Sequence, residues 1–302
     1  MTTKTIDRTT SKLWLAAIKP PMYSVVIIPV WVSAAIALFE QGQVPLRICL
    51  MFLLAAILIL AWENLSNDVF DAETGVDINK AHSIVNLTGN KQLIFWIANL
   101  LLLAAILLVI AIAWIQQEPT VLGLTLLGCC LAYAYQGPPF RLGYLGVGEV
   151  ICFISFGPLL CATAYYSLTR TLSWPLLAAS VIVGVATSLI LFCSHFHQIK
   201  DDAAVGKRSP IVRLGTQRSA NLLPWVSGSL YVLTVLFVVL QVFPPTTLLI
   251  VASLPLALHL SRHVSRYHDQ PERVSNCKFI AVGLHFWSGL LLGLGFLLAG
   301  AL

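Results

Sequence analysis

Charge is what this sequence has least of. Acidic and basic side chains make up 10% of the 302 residues, while 58% are hydrophobic; a soluble domain carries about a quarter charged residues. A water-soluble globular fold is therefore excluded. No long hydrophilic insertion or low-complexity tail interrupts the apolar segments, so a single membrane domain is expected over residues 1–302. Segment 1–19 is polar and has no cleavage-type apolar core, which predicts a retained cytoplasmic N-terminal segment instead of a removed leader. The seven cysteines fall mostly inside apolar runs without repeated CxxC spacing, which argues against a zinc site or a disulfide framework. Recognition modules for DNA or RNA are also missing, so the net charge of +5 is read as membrane topology and not as a nucleic-acid footprint.

What is present is a succession of apolar runs, each near the roughly 20 residues a helix needs to cross a bilayer. Nine spans fit, at about 22–39, 45–63, 92–115, 119–137, 147–167, 173–193, 221–241, 245–261 and 279–299. With the N-terminus inside, 16 Lys and Arg residues fall on the cytoplasmic face and two, Arg47 and Arg170, on the other, which accounts for all 18. That asymmetry predicts an N-in, C-out, all-α integral membrane protein.

Two polar clusters stand out, and both fall on the cytoplasmic side of this topology. The first runs from Asn64 through Asn67, Asp68 and Asp71 to Asp77. Spacing of i, i+3, i+4 and i+7 puts Asn64, Asn67, Asp68 and Asp71 along one helical face. Carboxylates at a helix C-terminus oppose the helix dipole and call for a cation. Mg²⁺, a hard ion shared between carboxylates and substrate phosphates, suits Asn67, Asp68 and Asp71, with Asp77 as a secondary ligand. Asn64 lies deeper, as a helix–helix donor or an acceptor-binding residue. The second cluster, about 130 residues later, holds His195, His197, Gln198, Asp201 and Asp202, followed by Lys207 and Arg208. Gln198, Asp201 and Asp202 offer oxygens to a metal at the opposite rim. The two histidines face apart on a helix and lack a third nitrogen or thiolate, so they are candidates for orienting an acceptor and not zinc ligands. Lys207 follows Gly206 and is the favoured phosphate contact, with Arg208 beside it. In the loop between them, Tyr135 and Arg141 flank Pro138-Pro139 and point toward the same mouth as diphosphate contacts.

These residues resemble the UbiA superfamily of intramembrane aromatic prenyltransferases, and within it the MenA branch. The likeness covers Lys19-Pro20, the run from Asn64 to Asp77, the Tyr135–Gly143 loop, and the Ser194–Asp202 and Gly206–Gly215 segments. Gln198 departs from the superfamily's second pair of aspartates, since an amide supplies an oxygen but no charge. The resemblance implies a helical bundle around a central cavity, Mg²⁺ as cofactor, and catalytic roles for Asp68, Asp71, Asp202 and Lys207. It further implies transfer of phytyl from phytyl diphosphate to 1,4-dihydroxy-2-naphthoate or 2-carboxy-1,4-naphthoquinone, with loss of CO₂ and diphosphate, in phylloquinone biosynthesis. The implied partners are that donor, the carboxylated naphthoquinol or naphthoquinone, and membrane lipid. No obligate protein partner is expected, and the membrane is expected to be a bacterial inner or thylakoid membrane. The rival readings are a related transferase using a menaquinone-type donor or a homogentisate or chlorophyllide acceptor, and an ion-coupled transporter. A transporter would carry its acidic groups to mid-membrane, whereas here they gather at one face.

Overall fold

The computed structural model describes residues 8–75 and 83–301, which leaves Asp77 outside the described residues. In chain order the helices are α1 (Arg8–Ile18), α2 (Ser24–Gln41), α3 (Leu46–Thr74), α4 (Ile84–Thr88), α5 (Lys91–Gln116), α6 (Thr120–Gln136), α7 (Gly148–Ile154), α8 (Leu160–Thr169), α9 (Trp174–Ala204), α10 (Pro210–Leu214), α11 (Thr216–Val239), α12 (Leu254–Tyr267), α13 (Pro271–Val274) and α14 (Cys277–Ala301). A π-helical turn at Ser155–Leu159 joins α7 to α8, and a 3-10 stretch at Pro245–Ser253 leads into α12. The all-α expectation holds among the described residues.

Among the described residues, eight helical segments are long and apolar enough to cross a membrane. The ninth expected span corresponds to α6, which is apolar but only 17 residues long. Two spans run further than hydropathy marks them. The apolar stretches end near 63 and 193, but α3 continues to Thr74 and α9 to Ala204. Asn64 to Asp71 and His195 to Asp202 therefore sit on the last turns of long helices, with Lys207 and Arg208 in the turn after α9. α3 stops at Gly75, whose φ of 77° is left-handed and whose N–H caps the Asp71 carbonyl, a conformation that glycine adopts without Cβ strain.

The helices at the centre are α2, α9 and α14, which supply most fully buried side chains, among them Ile36, Leu189 and Phe296. Their contacts are close because small residues face one another. A Cβ on Gly157 would lie 2.6 Å from both the Gly184 Cα and the Ser180 carbonyl oxygen, so the π turn and α9 meet backbone to backbone. α5 and α11 lie outside and leave Leu100, Leu107, Trp225 and Val232 exposed. Such an apolar exterior suits lipid, while every helix satisfies its own backbone groups.

The bundle has two distinct ends. At one, the Thr74 hydroxyl lies 2.9 Å from that of Tyr144, and the Arg208 N–H donates to the Tyr144 carbonyl at 2.8 Å. At the other, Gln116 donates through Nε2 to the Ser167 carbonyl, and the Tyr165 hydroxyl bonds to Glu40. The expected topology of nine spans would give a definite labelling pattern. Single cysteines introduced into segments 87–92 and 205–210 should react with an impermeant maleimide from the same side, and one in 40–45 from the opposite side. Reaction of the first two from different sides would refute the shared mouth.

Candidate active site

A cavity of about 1100 Å³ opens between α2, α3, α6, α7 and α9. Its depth is apolar, walled by side chains such as Phe52, Ile59, Leu60, Ile151 and Phe156. Polar groups from both clusters ring its mouth, so residues about 130 positions apart in sequence share one space.

From α3, Asn64, Asn67 and Asp71 line this space, as expected for positions i, i+3 and i+7 on one helical face. Asp68 stands apart. It is 1% exposed and does not line the cavity. Its Oδ2 accepts the Ile84 N–H at 2.8 Å, at the start of α4, and its Oδ1 lies 3.8 Å from the Lys19 ammonium. The helical face expected for four residues thus presents three to the cavity, with Asp68 bracing the wall from behind.

From α9, His195, His197, Gln198, Asp201 and Asp202 all line the cavity, joined by Lys207 from the following turn. Asp202 is buried between two partners: its Oδ2 lies 2.9 Å from His195 Nδ1 and its Oδ1 3.2 Å from Lys207 Nζ. His195 Nε2 in turn lies 3.5 Å from a Glu149 carboxylate oxygen on α7. Glu149, His195, Asp202 and Lys207 form one chain of charged and polar groups. Buried charges of this kind persist only when paired. Gln198 and Asp201 are one turn apart, and Asp201 is exposed at the rim.

Tyr135, expected in the loop, lies instead on the last turn of α6, which borders the cavity, and the loop follows it. The Tyr135 ring lines the cavity and fits against Gly143 and Gly148, where a Cβ on Gly148 would come within 3.1 Å of it. Tyr144 sits over Lys207, with the ammonium 6.0 Å from the ring centroid, a cation–π distance. Partial burial pushes the Tyr144 hydroxyl upward, against a smaller lowering effect of its bond to Thr74, so it stays protonated. Arg141 and Arg208 do not line the cavity. Arg141 lies 3.8 Å from Glu73, which also pairs with Lys91 at 3.1 Å on the outer rim. Arg208 is tied to the loop by its backbone N–H, and it is exposed.

Sequence reasoning passed over several cavity residues. Lys19 and Lys278 bring further cations to the wall and Glu63 a carboxylate, while Glu149 lies outside the lining, beside His195. Lys19 was legible in the Lys19-Pro20 pair ahead of the first span. Lys278 carried no signal beyond its place before the last span.

The chemistry of the donors fits Mg²⁺. Among the described residues no three His, Cys, Asp or Glu converge on a ready-made cation cage. Instead, Asn67 and Asp71 from α3 and Gln198 and Asp201 from α9 line the same cavity, and each side chain carries an oxygen that can serve as a ligand. Mg²⁺ retains waters and takes one or two carboxylates plus substrate phosphates, which such a divided set of oxygens can supply.

Comparison with known proteins gives a consistent result. The family model described as the UbiA prenyltransferase family matches residues 26–290. A 2-carboxy-1,4-naphthoquinone phytyltransferase of a Synechocystis species is 57% identical, over 96% of this chain and 95% of the relative. A chloroplastic 2-carboxy-1,4-naphthoquinone phytyltransferase of Arabidopsis thaliana is 40% identical, over 96% of this chain and 78% of the relative. Among solved structures, a UbiA homolog from Archaeoglobus fulgidus bound to GPP and Mg²⁺ superposes with a TM-score of 0.58 at 13% identity, over 93% of this chain and 99% of that one. At that identity the likeness concerns the fold.

Proposed function

This chain belongs to the UbiA prenyltransferase family, and we propose that it transfers a phytyl chain from phytyl diphosphate to 1,4-dihydroxy-2-naphthoate, releasing CO₂ and diphosphate. The observation that carries the reading is the single cavity that is apolar within and ringed at its mouth by Asn67, Asp71, Gln198, Asp201 and Lys207. The similarity to two phytyltransferases supports the choice of donor and acceptor.

An allylic diphosphate has a charged head and a long apolar tail, and the cavity divides the same way. Lys207, Lys19 and Lys278 at the wall attract the diphosphate and offset the negative charge that grows on it as the C–O bond breaks. Asn67 and Asp71 on α3, with Gln198 and Asp201 on α9, would hold Mg²⁺. When bound, the ion would supply Lewis-acid neutralisation of the leaving diphosphate. Asp68 fixes the α3 wall and Lys19 behind this face. Asp202 holds Lys207 and His195 in place, and His195 and His197 face the acceptor.

Below the mouth, the apolar walls exclude water, which would otherwise capture an allylic cation. The aromatic rings of Phe52 and Phe156, both in the cavity wall, would stabilise that positive charge. The electron-rich quinol ring attacks through the carbon bearing the carboxylate, and loss of CO₂ restores aromaticity. A quinone ring is electron-poor and a weaker nucleophile, so the quinol is the reacting form. By the topology above, the mouth opens to the cytoplasm from a bacterial inner or thylakoid membrane.

Purified protein in lipid, given phytyl diphosphate, 1,4-dihydroxy-2-naphthoate and Mg²⁺, should release diphosphate and CO₂ and form a phytylated naphthoquinol that mass spectrometry finds without its carboxylate. Parallel reactions with geranylgeranyl diphosphate, homogentisate and chlorophyllide separate donor from acceptor preference. Efficient coupling only to a non-naphthoate ring would overturn the acceptor and leave prenyl transfer standing. No coupling with any ring, from protein shown to be folded and donor-bound, would favour the transporter.

A further inference from the structure

Glu63 is a carboxylate within a membrane-spanning helix, and the diphosphate site does not use it. It lies on α3 one turn, about 6 Å, deeper than Asn67, and its side chain lines the cavity beside Tyr135 and Cys152. Its backbone is pinned, because Gln136, itself buried, donates through Nε2 to the Glu63 carbonyl at 3.0 Å. Among the described residues, no cation or hydrogen-bond donor meets its carboxylate. The next residue, Asn64, also lines the cavity, and its side-chain Nδ2 is a buried donor without a partner. Intramembrane carboxylates are costly, and they occur where function requires them. A carboxylate acceptor and an adjacent, unpartnered amide donor on two residues that line the same cavity complement a ligand that offers a hydroxyl beside a carboxylate.

We infer that Glu63 accepts the proton of the acceptor ring hydroxyl during prenyl transfer, while the Asn64 amide donates to the neighbouring ring carboxylate. The inference rests on the prenyl-transfer reading. The depth suits the role: the attacked allylic carbon is one bond from the diphosphate, so the ring must sit just below the mouth. As the ring carbon bearing the carboxylate bonds to the allylic carbon, the allylic C–O bond breaks and its electron pair leaves with diphosphate. The adjacent hydroxyl becomes a carbonyl and its proton passes to Glu63. When CO₂ departs, the electrons of the broken C–C bond restore the aromatic ring, and the ring oxygen takes the proton back from Glu63. Nothing is oxidised or reduced on balance.

The test compares the full-length protein with Glu63→Gln and Glu63→Asp, using 1,4-dihydroxy-2-naphthoate and its 1-O-methyl ether. With the dihydroxy acid, Glu63→Gln should lose roughly 100-fold in kcat, and Glu63→Asp should recover part of it. The thermal upshift produced by phytyl diphosphate and Mg²⁺ should be unchanged in both. With the methyl ether, which has no proton to give at that oxygen, wild type and Glu63→Gln should turn over equally. A merely structural role would slow both acceptors alike. Should Glu63→Gln not fold, the same comparison is made with Glu63→Asp. Turnover of the dihydroxy acid within threefold of wild type, or an equal loss with both acceptors, would overturn the inference while leaving prenyl transfer intact. Failure of the wild type with every acceptor would overturn both.

Discussion

Asp71→Asn should lower turnover by about 10²-fold or more at saturating Mg²⁺, in line with the loss of one fixed charge that stabilises a leaving group. The substitution keeps size and hydrogen-bonding oxygen but removes the negative charge that α3 presents at the cavity mouth. Membrane insertion and thermal unfolding should change little, because the position sits on the last turns of α3 and not among the central contacts. Asp68→Asn makes the informative contrast. Asp68 faces Lys19 and the first N–H of α4, so its loss should act through the wall and cost stability along with rate. Diphosphate release measured for both variants, beside fluorescence-detected unfolding, separates the two roles. Near-wild-type turnover by Asp71→Asn would remove α3 from the metal site.

The second large effect is expected at Asp202. Asp202→Ala leaves the His195 imidazole and the Lys207 ammonium facing a buried gap, and breaking a buried pair from one side costs about 3–5 kcal/mol. Turnover should also fall, because Lys207 loses the carboxylate that holds it 3.2 Å away. Lys207→Met alone should reduce turnover and leave a buried carboxylate. The double variant should be less damaged than the sum of the singles, since residues in one network couple. Unfolding midpoints and diphosphate release across the four proteins would show this, and strict additivity would dissolve the proposed network.

The sequence reading reached much of this site, and its failures follow a pattern. The spans, the side on which the basic residues gather and the two polar clusters all follow from composition and from 3.6-residue periodicity. α3 and α9 outrun their apolar stretches because polar residues still form helix once a long helix is under way, so hydropathy alone ends both too early. Glu63 was overlooked because it lies inside a span, between Trp62 and Asn64, where one carboxylate barely alters the local hydropathy. Glu149 was overlooked because it follows Gly148 at a span's edge, where it reads as an ordinary helix entry. Arg141 is basic and beside a rigid loop, yet Glu73 holds it on the outer rim.

By itself, then, the sequence determined membrane residence, the helical class and which end of the helices bears the polar chemistry, because burial in lipid acts on composition, and charge acts on the side of the bilayer. Tertiary structure decided which polar groups face one another. Periodicity gives the angle between Asp68 and Asp71 around α3 but not how α3 is turned within the bundle. That rotation is set by packing against α2 and α5. It turns Asp71 and Glu63 toward the cavity and sends Asp68 toward Lys19 and α4, so that the α3 groups share one space with His195, Asp202 and Lys207, which follow from an entirely different span, α9.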